Sequence, residues 1–218
     1  MKLNINEIFI GIQGEGLYQG KNSLFIRFNG CNLKCKICDT KKTWSGEDSL
    51  ELKDVKKNVD NNSHIVITGG EPLLYQDEII GLFTKQDYKK FYEIETNGTI
   101  LLECNGQRFT QGDKILFNIS PKQNIERLDD ENDEPILIDQ LKKLGINYIV
   151  KFLLKNKEDF VYADEIVREY EIPDYKVFIQ PLATTEEEIR NIVSKYYFDI
   201  LKRGWSISFR LHTIFNLK

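Results

Sequence analysis

Apolar runs with strand character alternate along this chain with amphipathic helical patterns, and almost every run stops at a cluster of glycine or polar residues. Ser23–Asn29 leads into Cys31, His64–Thr68 into Gly69-Gly70-Glu71, and Phe91–Glu95 into Thr96-Asn97. Lys114–Ile119 leads into Ser120-Pro121-Lys122, Tyr175–Ile179 into Gln180-Pro181, and Trp205–Arg210 into Leu211-His212. Parallel strands need a crossover between them, usually a helix, so this order predicts a mostly parallel α/β sheet, either open or rolled into a barrel. Ligands of such folds bind at the carboxyl ends of the strands, which is where the polar clusters fall.

The rest of the chain supplies the connecting elements. Residues 5–10 read as a short strand that runs into the glycine-rich turn Gln13-Gly14-Glu15-Gly16. Ser49 is placed to cap a helix reaching about Asn58, with Leu52, Val55 and Val59 on one face. Pro72 fits the first turn of a helix carrying Leu73, Leu74, Ile79, Ile80 and Phe83. Residues 124–134 are polar and acidic and read as an exposed loop, after which Pro135 opens a helix that Gly145 closes. Asn147–Leu154 is a strand and Lys157–Tyr170 a helix, while Thr185 and Glu188 form a capping box for the last long helix. Neither an internal repeat nor a linker interrupts the pattern, so one domain over residues 1–218 is expected.

Composition narrows the class of partner. At 41% apolar and 29% charged residues the chain reads as an ordinary globular protein. A net charge of −4 provides no global field for nucleic acid, and Lys34, Lys36, Lys41 and Lys42 read as solvated surface. No basic leader followed by an apolar core opens the chain and no apolar run is long enough for a bilayer, so a cytoplasmic location is expected. Within the apolar run Ser23–Asn29, Arg27 stands out, because a cation there must find an anionic partner or a ligand.

Three of the four cysteines lie within Cys31-Asn-Leu-Lys-Cys35-Lys-Ile-Cys38, directly after that run. Thiolates so spaced can hold one metal centre from a single loop, and thiolates are the usual ligands of iron–sulfur clusters. A zinc site normally pairs cysteines two or four apart with a second pair or histidines downstream, and a zinc-bound binding module remains an alternative on spacing alone. Disulfide pairing does not suit a trio this close. Cys104, the remaining cysteine, reads as a free thiol without a role. Three thiolates on a four-iron cube leave one iron open, and an open iron can bind a further ligand.

Cys31-x-x-x-Cys35-x-x-Cys38 together with Gly69-Gly70-Glu71-Pro72 resembles the radical S-adenosylmethionine superfamily, whose cysteine loop holds a [4Fe-4S] cluster over residues corresponding here to 30–46. The wider set, Glu7-Ile8-Phe9 through Gln13-Gly14-Glu15-Gly16, Arg27, Cys38-Asp39-Thr40, Glu95-Thr96-Asn97-Gly98, Ser120-Pro121-Lys122, Gln180-Pro181 and Arg210-Leu211-His212, is similar to the 7-carboxy-7-deazaguanine synthase family over essentially the whole chain. The resemblance implies a partial TIM-type barrel of mostly parallel strands with helices outside, and a lyase acting on 6-carboxy-5,6,7,8-tetrahydropterin. It implies S-adenosyl-L-methionine held by Gly69, Gly70, Glu71, Asn97, Ser120, Lys122 and Gln180, with the cluster on Cys31, Cys35 and Cys38. Glycines let a cofactor approach the backbone, and a carboxylate accepts from its ammonium group. It further implies a pterin site at Gln13, Glu15, Gly16 and Thr96, with Arg27 and His212 on the substrate carboxylate and Mg²⁺ at Thr40. A homodimer reduced by a flavodoxin is the expected setting. An activating enzyme of a glycyl-radical protein shares the cysteine loop, but has no use for Gln13, Glu15 or Arg27.

Overall fold

A computed structural model describes residues 1–46, 48–83, 90–103, 109, 114–128 and 137–215. Its residues group into two compact units: residues 1–11 with 22–147, and residues 12–21 with 148–218. The positions of Cys104 and Pro135 lie outside the described residues.

The larger unit carries strands β1 (Lys2–Ile12), β2 (Asn22–Phe28), β3 (Ser49–Glu51), β4 (His64–Gly69), β5 (Phe91–Thr96) and β6 (Ile115–Ile119), in the order β3-β1-β2-β4-β5-β6. β2, β4, β5 and β6 pair in parallel, and β3 pairs antiparallel with the start of β1. Register explains the composition of these strands. Ile26 lies opposite Ile67, Ile67 opposite Ile94 and Ile94 opposite Phe117, a fully buried apolar row crossing four strands. The residues that directly follow these four point to the other face and are polar, while Phe25, Val66 and Leu116 on that face are apolar and buried. Arg27 lies opposite Thr68 and Glu95 opposite Asn118, with the Thr68 hydroxyl donating to Glu95 at 3.1 Å. On that same face Ser23 and His64 Nδ1 are 2.6 Å apart, and Asn118 donates to Glu93 at 3.1 Å, all four being buried. A two-residue period thus puts these polar residues on one face, among buried apolar neighbours.

Helices α1 (Leu52–Asp60), α2 (Gln76–Leu82) and α3 (Leu137–Leu144) complete this unit and bury Val55, Val59, Ile79, Leu82, Leu137, Ile138 and Leu141. Ser49 does not cap a helix: it lies in β3, opposite Asn4, and α1 begins three residues later at Leu52. Pro72 opens a short 3₁₀ turn, Pro72–Tyr75, before α2. Gly145 ends α3 with φ +64°, a conformation glycine adopts without strain.

The smaller unit carries β7 (Tyr148–Leu154), β8 (Val177–Pro181) and β9 (Ser206–Ile207), paired in parallel in that order, with α4 (Lys157–Glu169), α5 (Glu186–Lys202) and α6 (Leu211–Ile214). The last run makes only the two-residue β9, and His212 lies in the short α6 rather than on a strand end. The capping box on α5 forms as expected, Glu188 N–H donating to Thr185 Oγ1 at 3.2 Å, and Asn156 with Asp159 forms another on α4. α4 and α5 meet at an aromatic clamp. Phe160 stacks on Tyr196 at 5.7 Å and lies 5.5 Å from Trp205, and the Arg203 guanidinium sits 4.7 Å above Phe160 while gripping Asp164 at 2.6 and 2.8 Å. No helix among the described residues is long and apolar enough to cross a membrane.

Arg203→Ala removes a bidentate ion pair and a cation–π contact together, and is expected to lower the unfolding free energy by about 1–3 kcal/mol in a urea titration. The Arg203 hydrogen bonds hold the Asp164 carboxyl below its ordinary value. A lowered carboxyl stabilises the fold above the unfolded-state value of about 4, and that contribution is lost as pH falls through the folded-state value. The difference between wild type and variant should therefore shrink in acid; a difference that is absent at neutral pH contradicts the clamp.

Candidate active site

In the larger unit the cysteine loop is fastened to the ends of three strands. Glu71 is the centre of that fastening. Its backbone N–H donates to Gly30 O at 2.8 Å, and Gly70 N–H donates to Phe28 O at 3.1 Å, so the end of β4 is tied to the start of the loop. Its carboxylate, fully buried, accepts from Leu73 N–H at 3.0 Å and Thr96 Oγ1 at 2.8 Å on Oε1, and from Asn97 N–H at 2.8 Å on Oε2. Two of its roughly four acceptor positions are filled on Oε1 and one on Oε2, so about one remains for a ligand's donor. Burial pushes the Glu71 carboxyl up to about 7, against the pull of the donors from Asn97, Leu73 and Thr96 and the charge of Lys122.

Asn97 carries the fastening back to the loop: its amide nitrogen donates to Asn32 Oδ1 at 3.0 Å, and Asn32 donates to Thr99 Oγ1 at 2.8 Å. Ser120 N–H donates to Thr96 O at 2.8 Å, and Lys122 Nζ to Ser120 Oγ at 2.6 Å. On its other side the loop pairs with residues 126–128. Lys36 N–H donates to Glu126 O at 2.9 Å, Leu128 N–H donates to Lys34 O at 2.9 Å, and Cys35 bridges Arg127. Residues 124–128, read from composition as exposed loop, therefore include a strap over the middle cysteine, and the remainder of 124–134 lies outside the described residues.

Cys31, Cys35 and Cys38 are thiols outside any disulfide, partly open to solvent. Leu33 N–H donates to Cys31 Sγ at 3.4 Å, and Cys38 Sγ is 3.6 Å from Thr40 Oγ1. Burial pushes the Cys31 thiol up to about 12; a metal reverses that preference, because a coordinated thiol is deprotonated outright. Among the described residues no three His, Cys, Asp or Glu side chains converge as one metal ion requires. A four-iron cluster asks less, since each thiolate binds its own iron. The donor set fits such a cluster, and the backbone beside it is shaped for close approach. A Cβ on Gly70 would fall 2.0 Å from Gly30 O and 2.9 Å from Cys31 Cβ, and one on Gly69 2.4 Å from Phe28 O.

Arg27 finds its anion within the same unit: Nε donates to Glu7 at 2.8 Å, and Lys42, two residues beyond Thr40, donates to the same Glu7 oxygen at 3.0 Å. The ion pair uses Nε and leaves the terminal nitrogens of the guanidinium to other partners. Thr40 precedes a 3₁₀ turn, Lys41–Thr43, and its carbonyl accepts from Thr43 N–H at 2.8 Å.

The smaller unit assembles the remaining candidates. Gly16 N–H donates to Ser208 Oγ at 2.8 Å, and Ser208 Oγ lies 3.2 Å from Gln180 Oε1, so a buried serine joins the Gln13–Gly16 turn to the end of β8. Leu211 N–H donates to Gly14 O at 3.1 Å, and a Cβ on Gly14 would fall 2.4 Å from His212 Nδ1, which seats the imidazole on the turn. Glu15 lies beside His212 Nε2 at 3.9 Å and Arg210 Nε at 3.4 Å, and it accepts a hydrogen bond from Lys151. Gln13 is buried in the same turn.

Three of these partners do not stand out from the chain alone, Asn32, Lys151 and Ser208, and Glu7 reads only as part of the opening motif, without a task as the partner of Arg27. Lys151 carried a usable signal, because it is a lone cation in the apolar strand Tyr148–Leu154, the same anomaly that marks Arg27.

The Radical SAM superfamily model matches residues 25–192. A 7-carboxy-7-deazaguanine synthase from Buchnera aphidicola subsp. Schizaphis graminum is 32% identical over 98% of both chains. One from Hyperthermus butylicus is 29% identical over 99% of this chain and 93% of its own. Among solved structures, QueE from Escherichia coli superposes with a TM-score of 0.70 at 23% identity, covering 96% of this chain and 94% of its own. The protein anSMEcpe with bound AdoMet and a peptide gives 0.60 at 21% identity, covering 85% and 63%. These likenesses show the fold class as the partial TIM-type barrel of mostly parallel strands.

Gly70→Ala should force the loop away from the end of β4, because the clashing atoms are backbone. The expected result is a loss of about 1–3 kcal/mol in stability and a large fall in iron and sulfide retained per chain after anaerobic reconstitution. Normal cluster loading in that variant contradicts the close approach.

Proposed function

We propose, on the premise that the chain belongs to the 7-carboxy-7-deazaguanine synthase family of radical S-adenosylmethionine enzymes, a residue-by-residue account of its reaction. The enzyme is a lyase of 7-deazapurine biosynthesis that converts 6-carboxy-5,6,7,8-tetrahydropterin to 7-carboxy-7-deazaguanine with loss of ammonia. When bound, the [4Fe-4S] cluster and S-adenosylmethionine supply a 5′-deoxyadenosyl radical, which takes a hydrogen from the carbon beside the substrate carboxylate. The observation that carries the account is the cysteine loop fastened to the Gly-Gly-Glu-Pro strand end through Glu71, Gly30 and Asn97.

In this account Cys31, Cys35 and Cys38 hold the cluster and leave one iron open to the cofactor. Gly69 and Gly70 offer bare backbone to the methionine part of the cofactor, and Glu71 offers its remaining acceptor position to the ammonium group. Asn97, Ser120, Lys122 and Gln180 complete the cofactor's hydrogen-bond partners. Gln13, Glu15, Gly16 and Thr96 take the pterin, the Glu15 carboxylate receiving two N–H donors from its amide edge. Arg27, oriented by Glu7, and His212 take the substrate carboxylate. Thr40 supplies one oxygen to Mg²⁺, an ion that commonly keeps several waters and borrows ligands from its substrate. The family resemblance extends the reading to a single radical S-adenosylmethionine domain over residues 1–218, working in the cytoplasm as a homodimer with a flavodoxin-type electron donor.

The reconstituted protein, given S-adenosylmethionine, a strong reductant, Mg²⁺ and carboxytetrahydropterin, should form 5′-deoxyadenosine and carboxydeazaguanine together. Deoxyadenosine without carboxydeazaguanine removes the substrate assignment. Cys35→Ala should reduce cofactor cleavage to background, and near-normal cleavage in that variant refutes its role as a ligand.

A further inference from the structure

Three basic side chains of the smaller unit, one from β7 and two from the start of α6, face one carboxylate. Lys151, in the middle of β7, hydrogen-bonds Glu15 Oε2. Arg210, just after β9, and His212, on α6, stand 3.4 and 3.9 Å from Oε1. Lys151 is only 5% exposed, and it projects from the face of β7 that aligns with Phe178 on β8. A buried ion pair is a poor way to stabilise a core, since apolar side chains of similar volume often do as well or better. The account of catalysis above uses Glu15 and His212 and gives Lys151 no task.

We propose that Lys151 is a positioning residue for the substrate: it keeps Glu15 ionised and fixes its carboxylate, so that both oxygens accept from the paired N–H donors of the pterin's amide edge. The inference rests on the reading of Glu15 as the group that takes that edge. A protonated carboxyl has one hydroxyl donor in place of an acceptor, and it would meet one of the two N–H groups donor to donor. Burial alone favours that neutral form. The Lys151 charge and hydrogen bond, followed by the charges of Arg210 and His212, reverse the preference and hold Glu15 well below the usual carboxylate range. Lys151 also restrains the rotamer, since it binds Oε2 from a strand while the other two cations lie on the Oε1 side.

The test is an anaerobic fluorescence titration of the cluster-reconstituted protein, with S-adenosylmethionine bound, using pterin-6-carboxylate as the probe from pH 5.5 to 8. This probe keeps the same amide edge and is not turned over. Wild type should lose no affinity as pH falls across the range, since protonation of His212 can only favour the probe's carboxylate. Lys151→Met should bind about 10- to 100-fold more weakly at pH 7, the loss expected for a hydrogen bond to a charged group that is no longer held in place. Its affinity should fall further as pH drops, because Glu15 then gains a proton within the range; Lys151→Arg should restore the wild-type profile. If Lys151→Met folds poorly, the double variant Lys151→Met/Glu15→Gln removes both charges, and it should bind no more weakly than Glu15→Gln alone and show the same pH profile as that single variant. A Lys151→Met protein with wild-type affinity and the wild-type pH profile, alongside a Glu15→Gln protein that has lost binding, overturns the positioning role. Equally, a double variant that binds much more weakly than Glu15→Gln overturns it, because Lys151 then acts without Glu15. A Glu15→Gln protein that binds as tightly as wild type instead overturns the reading of Glu15 on which the inference rests.

Discussion

A single buried carboxylate, Glu71, holds the cysteine loop where chemistry can use it. One residue reaches the loop through its backbone, β4 through its position in the chain, and β5 through Thr96 and Asn97. Hydrogen bonds to a charged group contribute about 1.5–3 kcal/mol each, while removing a carboxylate from water costs several. The arrangement is stable only with all three donors in place. That dependence makes the loop, the Gly-Gly-Glu-Pro turn and the Thr96-Asn97 turn one structural unit, and it links the residues proposed to bear the cluster to those proposed to receive the cofactor.

The same economy appears in the two other anchor points. Glu7 accepts from both Arg27 and Lys42, and so joins a cation of β2 to the chain just beyond Thr40. Ser208 joins Gly16 to Gln180 within the smaller unit. Glu7 does this from within the opening motif, and Ser208 from outside the recognisable motifs; each fixes the geometry of residues inside them. Substitutions at Glu7, Ser208 or Asn32 therefore act on function through the motif residues they hold.

Much of this organisation is legible in the chain. The alternation of strand and helix patterns and the Thr185–Glu188 box depend on local chemistry, and each forms where the pattern places it. Ser49 misleads because a good capping residue is also a tolerable strand residue, and its pairing with Asn4 depends on a partner 45 positions away. The strap at residues 126–128 is hidden for a similar reason: its polar composition matches a solvated loop, and only backbone hydrogen bonds to Lys34 and Lys36 reveal its role. His212 ends in a helical turn because Trp205–Arg210 has room to pair for only two residues, Ser206 and Ile207. Lys151 was legible in principle, since the argument that flags Arg27 applies equally to any lone cation in an apolar strand.

The central claim is that three thiolates leave one iron for the cofactor. It is tested most directly by electron paramagnetic resonance of the reduced, reconstituted protein, with S-adenosylmethionine labelled at its amino nitrogen. The account predicts a [4Fe-4S]⁺ signal that changes when the cofactor is added and shows hyperfine coupling to the labelled nitrogen. A cluster signal unaltered by the cofactor, without such coupling, contradicts it.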